Sequence, residues 1–279
     1  MSRNPLSAIS PGSEKTLRRT FAVHAADGLP IEVRDHGGEG PLLLFIHGWS
    51  CNQDFWAPQI EPLSLRFRVV TIDLPGHGEA NAKRGDRRWS IEAFGADVAA
   101  VVDALGASDV GLVGHSMGGA VAVEAALALG PKCRFMLGVD TFNEAAFYGR
   151  RPDGEIRERC AAFGDDFAGT MRGMVGAITD PSVDPAVVAW IGDAMASSRP
   201  PVALAVLEAL LAWDIEARWG ELAVPAATIN SAMLAARNEL LDLPGLDVRL
   251  IGNTGHFPML ETPEAFNALA LGLLEGRFS

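Results

Sequence analysis

Short apolar runs separated by amphipathic stretches set the rhythm of this chain. Pro41-Leu-Leu-Leu-Phe-Ile46, Arg68-Val-Val-Thr-Ile72, Asp109-Val-Gly-Leu-Val113 and Arg134-Phe-Met-Leu-Gly-Val139 have the length and continuity of strands covered on both faces. Between them, Ser90 is placed to cap a helix in which Ile91, Phe94, Val98, Val101, Val102 and Leu105 recur at helical spacing until Gly106. Residues 120–129 predict a second helix, closed by Gly130-Pro131, and Asp54 is placed to cap a shorter one with Pro58 in its first turn. Upstream, residues 20–24 and 31–34 alternate about Asp27-Gly28, as an antiparallel hairpin does. Downstream come two further strand patterns, 224–229 and 247–251, and a last helix from about Pro263 with Thr262 at its cap. Strands alternating with helices predict an α/β fold: a mostly parallel, doubly wound sheet.

Residues 142–213 break that rhythm. They hold helix-like stretches at 155–163, 166–177, 185–196 and 201–213, punctuated by Pro181, Pro185 and Pro200-Pro201. The expected organisation is therefore a flexible tail over 1–18, a core of 19–141 and 214–279, and an all-helical cap over 142–213. Such a cap belongs above the carboxyl ends of the strands, where open α/β sheets bind ligands.

Composition narrows the classes. Of 279 residues 48% are hydrophobic and 21% charged, enough for a sizeable core, and the net charge is −12. That balance argues against nucleic acid or an anionic membrane as partner. Cys51, Cys133 and Cys160 form neither a paired framework nor a metal spacing, no apolar run approaches a membrane span, and the N-terminus lacks the apolar centre of a secretion signal. The expectation is a soluble cytoplasmic protein, monomer or homodimer, with a small-molecule substrate and neither cofactor nor metal.

The chemistry is concentrated in Gly114-His-Ser-Met-Gly-Gly119, between a strand and a helix. A serine on so sharp a turn projects its hydroxyl above the sheet edge, and glycines two residues to either side relieve the crossing. Serine needs a base. Of six histidines, His256 in Gly252-Asn-Thr-Gly-His256 follows the last strand and reaches the same edge as Ser116, whereas His115 should point away from that hydroxyl. For the carboxylate that orients the base, Asp140 ends the strand after the Ser116 helix; Glu239 and Asp214 are the alternatives, since the loop Asn230-Ser-Ala-Met-Leu234 carries no acid. Oxyanion donors are expected from the backbone amides of Met117 and Trp49. Asp73, His77 and Cys51 read as loop and core residues, while Trp190, Trp213, Met195 and Phe147 could line a pocket or simply fill the core.

Together, His47-Gly-Trp49, Asp73-Leu-Pro-Gly-His-Gly78, Gly114-His-Ser-Met-Gly-Gly119 and Gly255-His-Phe-Pro-Met-Leu-Glu261 resemble the α/β-hydrolase-fold serine hydrolases over residues 20–141 and 214–279. The resemblance implies a nucleophile at Ser116, a base at His256, and oxyanion amides at Trp49 and Met117. Most members carry the acid after the strand that corresponds to 224–229; certain haloalkane dehalogenases place it one strand earlier, an arrangement Asp140 fits. Dehalogenases and epoxide hydrolases of this fold use an aspartate nucleophile, against which Ser116 argues. The expected activity is hydrolysis of a small carboxylic ester, lactone or thioester through a Ser-His-Asp triad and an acyl-enzyme. The alternatives are a carbon–carbon bond hydrolase of a diketone-like ring-fission product and a slow-turnover ligand receptor.

Overall fold

The computed structural model describes residues 17–80, 87–142 and 144–278. The expected tail therefore falls almost wholly outside the described residues. Arg18 already donates its amide to Asp35 O at 2.9 Å, so hairpin pairing begins there.

Eight strands form one sheet: β1 (Arg19–His24), β2 (Pro30–Gly37), β3 (Leu42–Ile46), β4 (Arg68–Asp73), β5 (Val110–His115), β6 (Cys133–Val139), β7 (Ala226–Ser231) and β8 (Asp247–Ile251). Their order is β1-β2-β4-β3-β5-β6-β7-β8. β1 and β2 are antiparallel, as is β2 with β4, and every later pairing is parallel. All residues of β3 and β5 are buried, so cover comes from both faces, as their unbroken apolar character requires.

The helices supply that cover. α1 (Ala57–Ser64) packs against a C-terminal helix, Pro263–Leu274, while α2 (Ile91–Ala104) packs on α3 (Met117–Leu129). α3 is buried nearly all round, which explains why its sequence is uniformly apolar rather than striped. Ser90 caps α2 as expected, accepting from Ala93 N at 3.1 Å.

Two expected caps are not made. The turn before α1 is capped by Asn52, whose side chain accepts from Asp54 N at 3.0 Å, while the Asp54 carboxylate instead pairs with Arg34. Thr262 stands at the cap position of the last helix but makes no capping bond; its hydroxyl meets Pro258 O, because the helical turn Pro258–Glu261 directly precedes it.

From β6 to β7 the described residues form α4 (Ala145–Tyr148), α5 (Asp153–Ala161), α6 (Phe167–Ile178), α7 (Pro185–Ala196), α8 (Pro200–Ala212) and α9 (Ile215–Trp219). One pairing is not helical: Glu144 forms an isolated bridge with Leu240. Long-range bonds tie this segment down. Trp49 Nε1 donates to Ala203 O at 2.7 Å, and Trp213 Nε1 donates to the buried Glu124 carboxylate at 2.8 Å. Trp213 is thus an anchor in the core. Trp190 packs on Phe55, with ring centres 5.0 Å apart.

Candidate active site

Ser116 joins β5 to α3 with φ 51° and ψ −121°, a conformation costly for a residue with a Cβ. The turn is tight enough that a Cβ on Gly114 would strike Gly118 O, and one on Gly118 would strike the carbonyls of Ile46 and His47. The glycines are therefore demanded by close approach of two backbones. The same approach sets the loop after β3, which carries Trp49, against the first turn of α3. Met117 opens α3, so its amide has no acceptor within the helix and is free for another partner.

His47 braces this region: its Nε2 accepts from Leu74 N at 3.1 Å, which leaves Nδ1 to donate to Gly48 O at 2.8 Å. Burial lowers its pKa to about 4. Asp73 accepts from Gln53 N, Gln53 Nε2 and Glu79 N, and His77 donates to Pro75 O. Both hold the loop after β4. Cys51 is buried, and burial raises its thiol pKa, so no thiolate forms there at neutral pH.

Among the three carboxylates considered, the structure brings Asp140 to His256. Its Oδ2 lies 2.6 Å from His256 Nδ1, and its Oδ1 accepts from Ser231 N at 2.8 Å. Asp140 has φ 46°, a left-handed conformation that aspartate tolerates better than most residues. Asn230, at the end of β7, accepts from Thr141 N and donates to Thr141 O. The end of β7 thus carries no acid of its own; Asn230 and Ser231 hold the acid and its neighbour on the adjacent strand. Asp214 caps α9 through Glu216 N, and Glu239 takes part through its backbone carbonyl, which accepts from Ala145 N.

His256 is held from three sides. Its amide donates to Ile178 O at the end of α6, its carbonyl accepts from His115 Nε2 at 2.9 Å, and Ser231 Oγ bonds Thr254 O nearby. Glu261 completes the clamp: Oε2 accepts from Gly255 N and Asp180 N, and Oε1 from Phe257 N. Burial pulls the His256 pKa down, but the hydrogen bond and charge of Asp140, with Glu144 and Glu261 further off, hold it above the ordinary value. His115 is kept neutral, chiefly by burial and then by His256 beside it.

Ser116 and His256 open onto a cavity of about 430 Å³. Its walls are mostly apolar: Trp49, Phe163, Met174, Leu207, Leu210 and Leu211 among them. Of the residues proposed from sequence to face a pocket, Phe147 and Met195 do so and Trp190 and Trp213 do not. The polar lining, beyond Ser116 and the histidines, is Glu144, Tyr148, Arg159 and Asn238, none of which sequence reasoning singled out. Glu144 did carry a signal, standing four positions beyond Asp140 at the same sheet edge. Burial raises its pKa; Asp140 adds to this, while His256 and Arg159 oppose it. Tyr148 is the single tyrosine of the chain.

The fold is that of the α/β hydrolases, and the chain belongs to the alpha/beta hydrolase family, whose model matches residues 43–269. It is a hydrolase of that family. Pimeloyl-acyl-carrier-protein methyl ester esterase of Nitrosomonas europaea is 25% identical over 248 residues, 82% of this chain and 94% of that protein. The dihydrolipoyllysine-residue acetyltransferase component of the acetoin cleaving system of Cupriavidus necator is 36% identical over 102 residues. That match covers 36% of this chain and 26% of the relative, so the chain spans only about a quarter of the relative's length. Among solved structures, Est816, described as an N-acyl homoserine lactone degrading enzyme, superposes with a TM-score of 0.76 at 26% identity, covering 91% of this chain and all of that one.

Proposed function

We propose that this protein hydrolyses small carboxylic esters, lactones included, by a cofactor-independent serine mechanism. The observation that carries the reading is the 2.6 Å contact between Asp140 Oδ2 and His256 Nδ1 at the cavity that Ser116 also lines. With Nδ1–H held by Asp140, the other ring nitrogen is left unprotonated and available as a base. Ser116 Oγ adds to the substrate carbonyl carbon as its proton passes to His256. The carbonyl oxygen, now negative, is met by the amides of Trp49 and Met117. Collapse breaks the ester bond, and the alkoxide leaves with the proton from His256. Water then adds to the acyl-enzyme through the same histidine and regenerates Ser116.

The apolar walls favour an aliphatic or aromatic acyl group over a charged one. The esterase and lactone-degrading relatives support the same reaction class. In this reading residues 142–213 act as a lid, since that segment supplies most of the residues that line the cavity. The protein is taken to be cytoplasmic, as a monomer or homodimer, without nucleic-acid or membrane partners.

The test compares hydrolysis of p-nitrophenyl acetate, butyrate and octanoate by wild type and Ser116→Ala. Turnover by wild type that is lost in the variant is expected, with the chain-length profile measuring the pocket. Equal activity in both would remove Ser116 from the mechanism; inactivity of both would move the reading to carbon–carbon bond hydrolysis.

A further inference from the structure

β8 ends the sheet with an uncovered edge. It stands last in the strand order, and its outward backbone N–H and C=O groups meet no hydrogen-bond partner among the described residues. One face of the strand is bare as well. Residues in register on parallel strands share a face, so Val248 lies beside Thr228 and Leu250 beside Asn230. Thr228 and Asn230 are 0% and 6% exposed, whereas Val248 and Leu250 are 39% and 56% exposed. Cover on that face therefore stops at β7. The connection supplies little of it: β7 reaches β8 through one four-residue helix, Ala232–Ala235, while α2 and α3 on the earlier crossovers have 14 and 13 residues.

An open apolar edge is a template for another strand, and proteins commonly blunt such edges with Pro, Lys or a bulge. β8, Asp247-Val-Arg-Leu-Ile251, has none of these and pairs with β7 in unbroken register. Its sequence is instead complementary to itself. In an antiparallel pair of two copies centred on Val248, Asp247 of each stands opposite Arg249 of the other, and Leu246 opposite Leu250. The charges fall on one face and Leu246, Val248 and Leu250 on the other. Within one chain Arg249 Nε lies 2.8 Å from Asp247 Oδ1, so two copies interleave four charges of alternating sign. Charges over 246–251 cancel, and this patch escapes the repulsion that a net charge of −12 imposes between copies elsewhere.

We propose that β8 is the interface of a homodimer: the edge strands of two copies pair antiparallel about a two-fold axis through Val248 and join their sheets. The occupant is a second copy of this chain because Leu246 to Leu250, read backwards, sets base against acid and leucine against leucine. An isologous two-fold contact requires such self-complementarity. A five-residue edge is a small contact, so the dimer dissociates on dilution. The inference does not depend on the serine chemistry.

The experiment is sedimentation velocity of the full chain over a concentration series. Wild type is compared with Asp247→Arg and Arg249→Asp, each alone, mixed in equal amounts, and combined in one chain. Wild type is expected to pass from monomer to dimer as concentration rises. Each single variant sets like charges opposite one another and should weaken association at least about 10-fold. The equal mixture should dimerise again, because each Arg of one variant then faces an Asp of the other, and the double variant should dimerise like wild type. Val248→Lys, which brings two ammonium groups together on the axis, should stay monomeric. Circular dichroism checks the fold of each variant, and recovery in the mixture shows it directly. A wild type that stays monomeric throughout, or single variants that associate as wild type does, would overturn the interface. A mixture that stays monomeric would overturn the antiparallel register about Val248.

Discussion

His256 and Asp140 stand 116 positions apart in the chain, and their side chains meet at 2.6 Å. Asp140 is also fixed from behind by Ser231 N, so the pair is oriented by three consecutive strands of the sheet, β6, β7 and β8. If Asp140 sets the tautomer of His256, Asp140→Asn should lower kcat by about 10³- to 10⁴-fold with little change in melting temperature. Glu239→Gln and Asp214→Asn should stay near wild type. Steady-state kinetics on the three variants checks this; a nearly neutral Asp140→Asn beside an inactive Glu239→Gln would reverse the assignment.

The pH profile follows from the same contact. The base must be neutral, and Asp140 raises the His256 pKa above its ordinary 6.5. kcat/KM should therefore rise with pH, reach half its plateau above 6.5, and then level off. The linkage runs the other way: a raised pKa contributes stability that is complete below the unfolded value and is lost as pH rises through the folded one. A pH–rate series with half-maximal activity on the acid side of 6.5 would contradict this.

Trp49 links the loop after β3 to α8 through its indole N–H and Ala203 O. Trp49→Phe removes that bond while the Ala203 carbonyl keeps its helical donor, at a cost of about 0.5–1.5 kcal/mol. The expected result is a lower melting temperature, faster amide exchange in α8 and a raised KM. Unchanged exchange in α8 would mean that the bond does not hold the wall of the cavity in place.

Glu261 accepts three backbone amides, two of them flanking His256. In Glu261→Gln an amide NH2 replaces one acceptor and faces N–H donors, costing about 1–3 kcal/mol. Loosening of the His256 loop should lower kcat more than it raises KM. Hydrogen exchange at Gly255 and Phe257 reports the loosening directly; full protection there in the variant would refute the clamp.

Sequence and structure part company at particular residues. Ser90 was legible as a cap because its partner, Ala93 N, lies three residues away. Asp54 was not, since its carboxylate pairs with Arg34 on β2, twenty positions earlier, and Asn52 takes the capping role. Asp140 was legible as a candidate from its place at a strand end, while Glu239 and Asp214 stayed open as alternatives because local pattern alone does not show which carboxylate meets His256. Tyr148 carried no local mark at all. It lines the cavity with Ser116 because α4 is placed by Glu239, Leu240 and Leu211, all more than sixty positions further along.

The sequence by itself determined the order of strands and helices, the sharp turn at Ser116 and the loop position of His256. These depend on periodicity and on neighbours within a few residues, which any reader of the chain can count. Only the tertiary structure decided which acid meets His256 and which residues wall the cavity. Those are contacts between segments tens of residues apart, selected by how β6 and β7 lie side by side and how the helices between them close over the sheet.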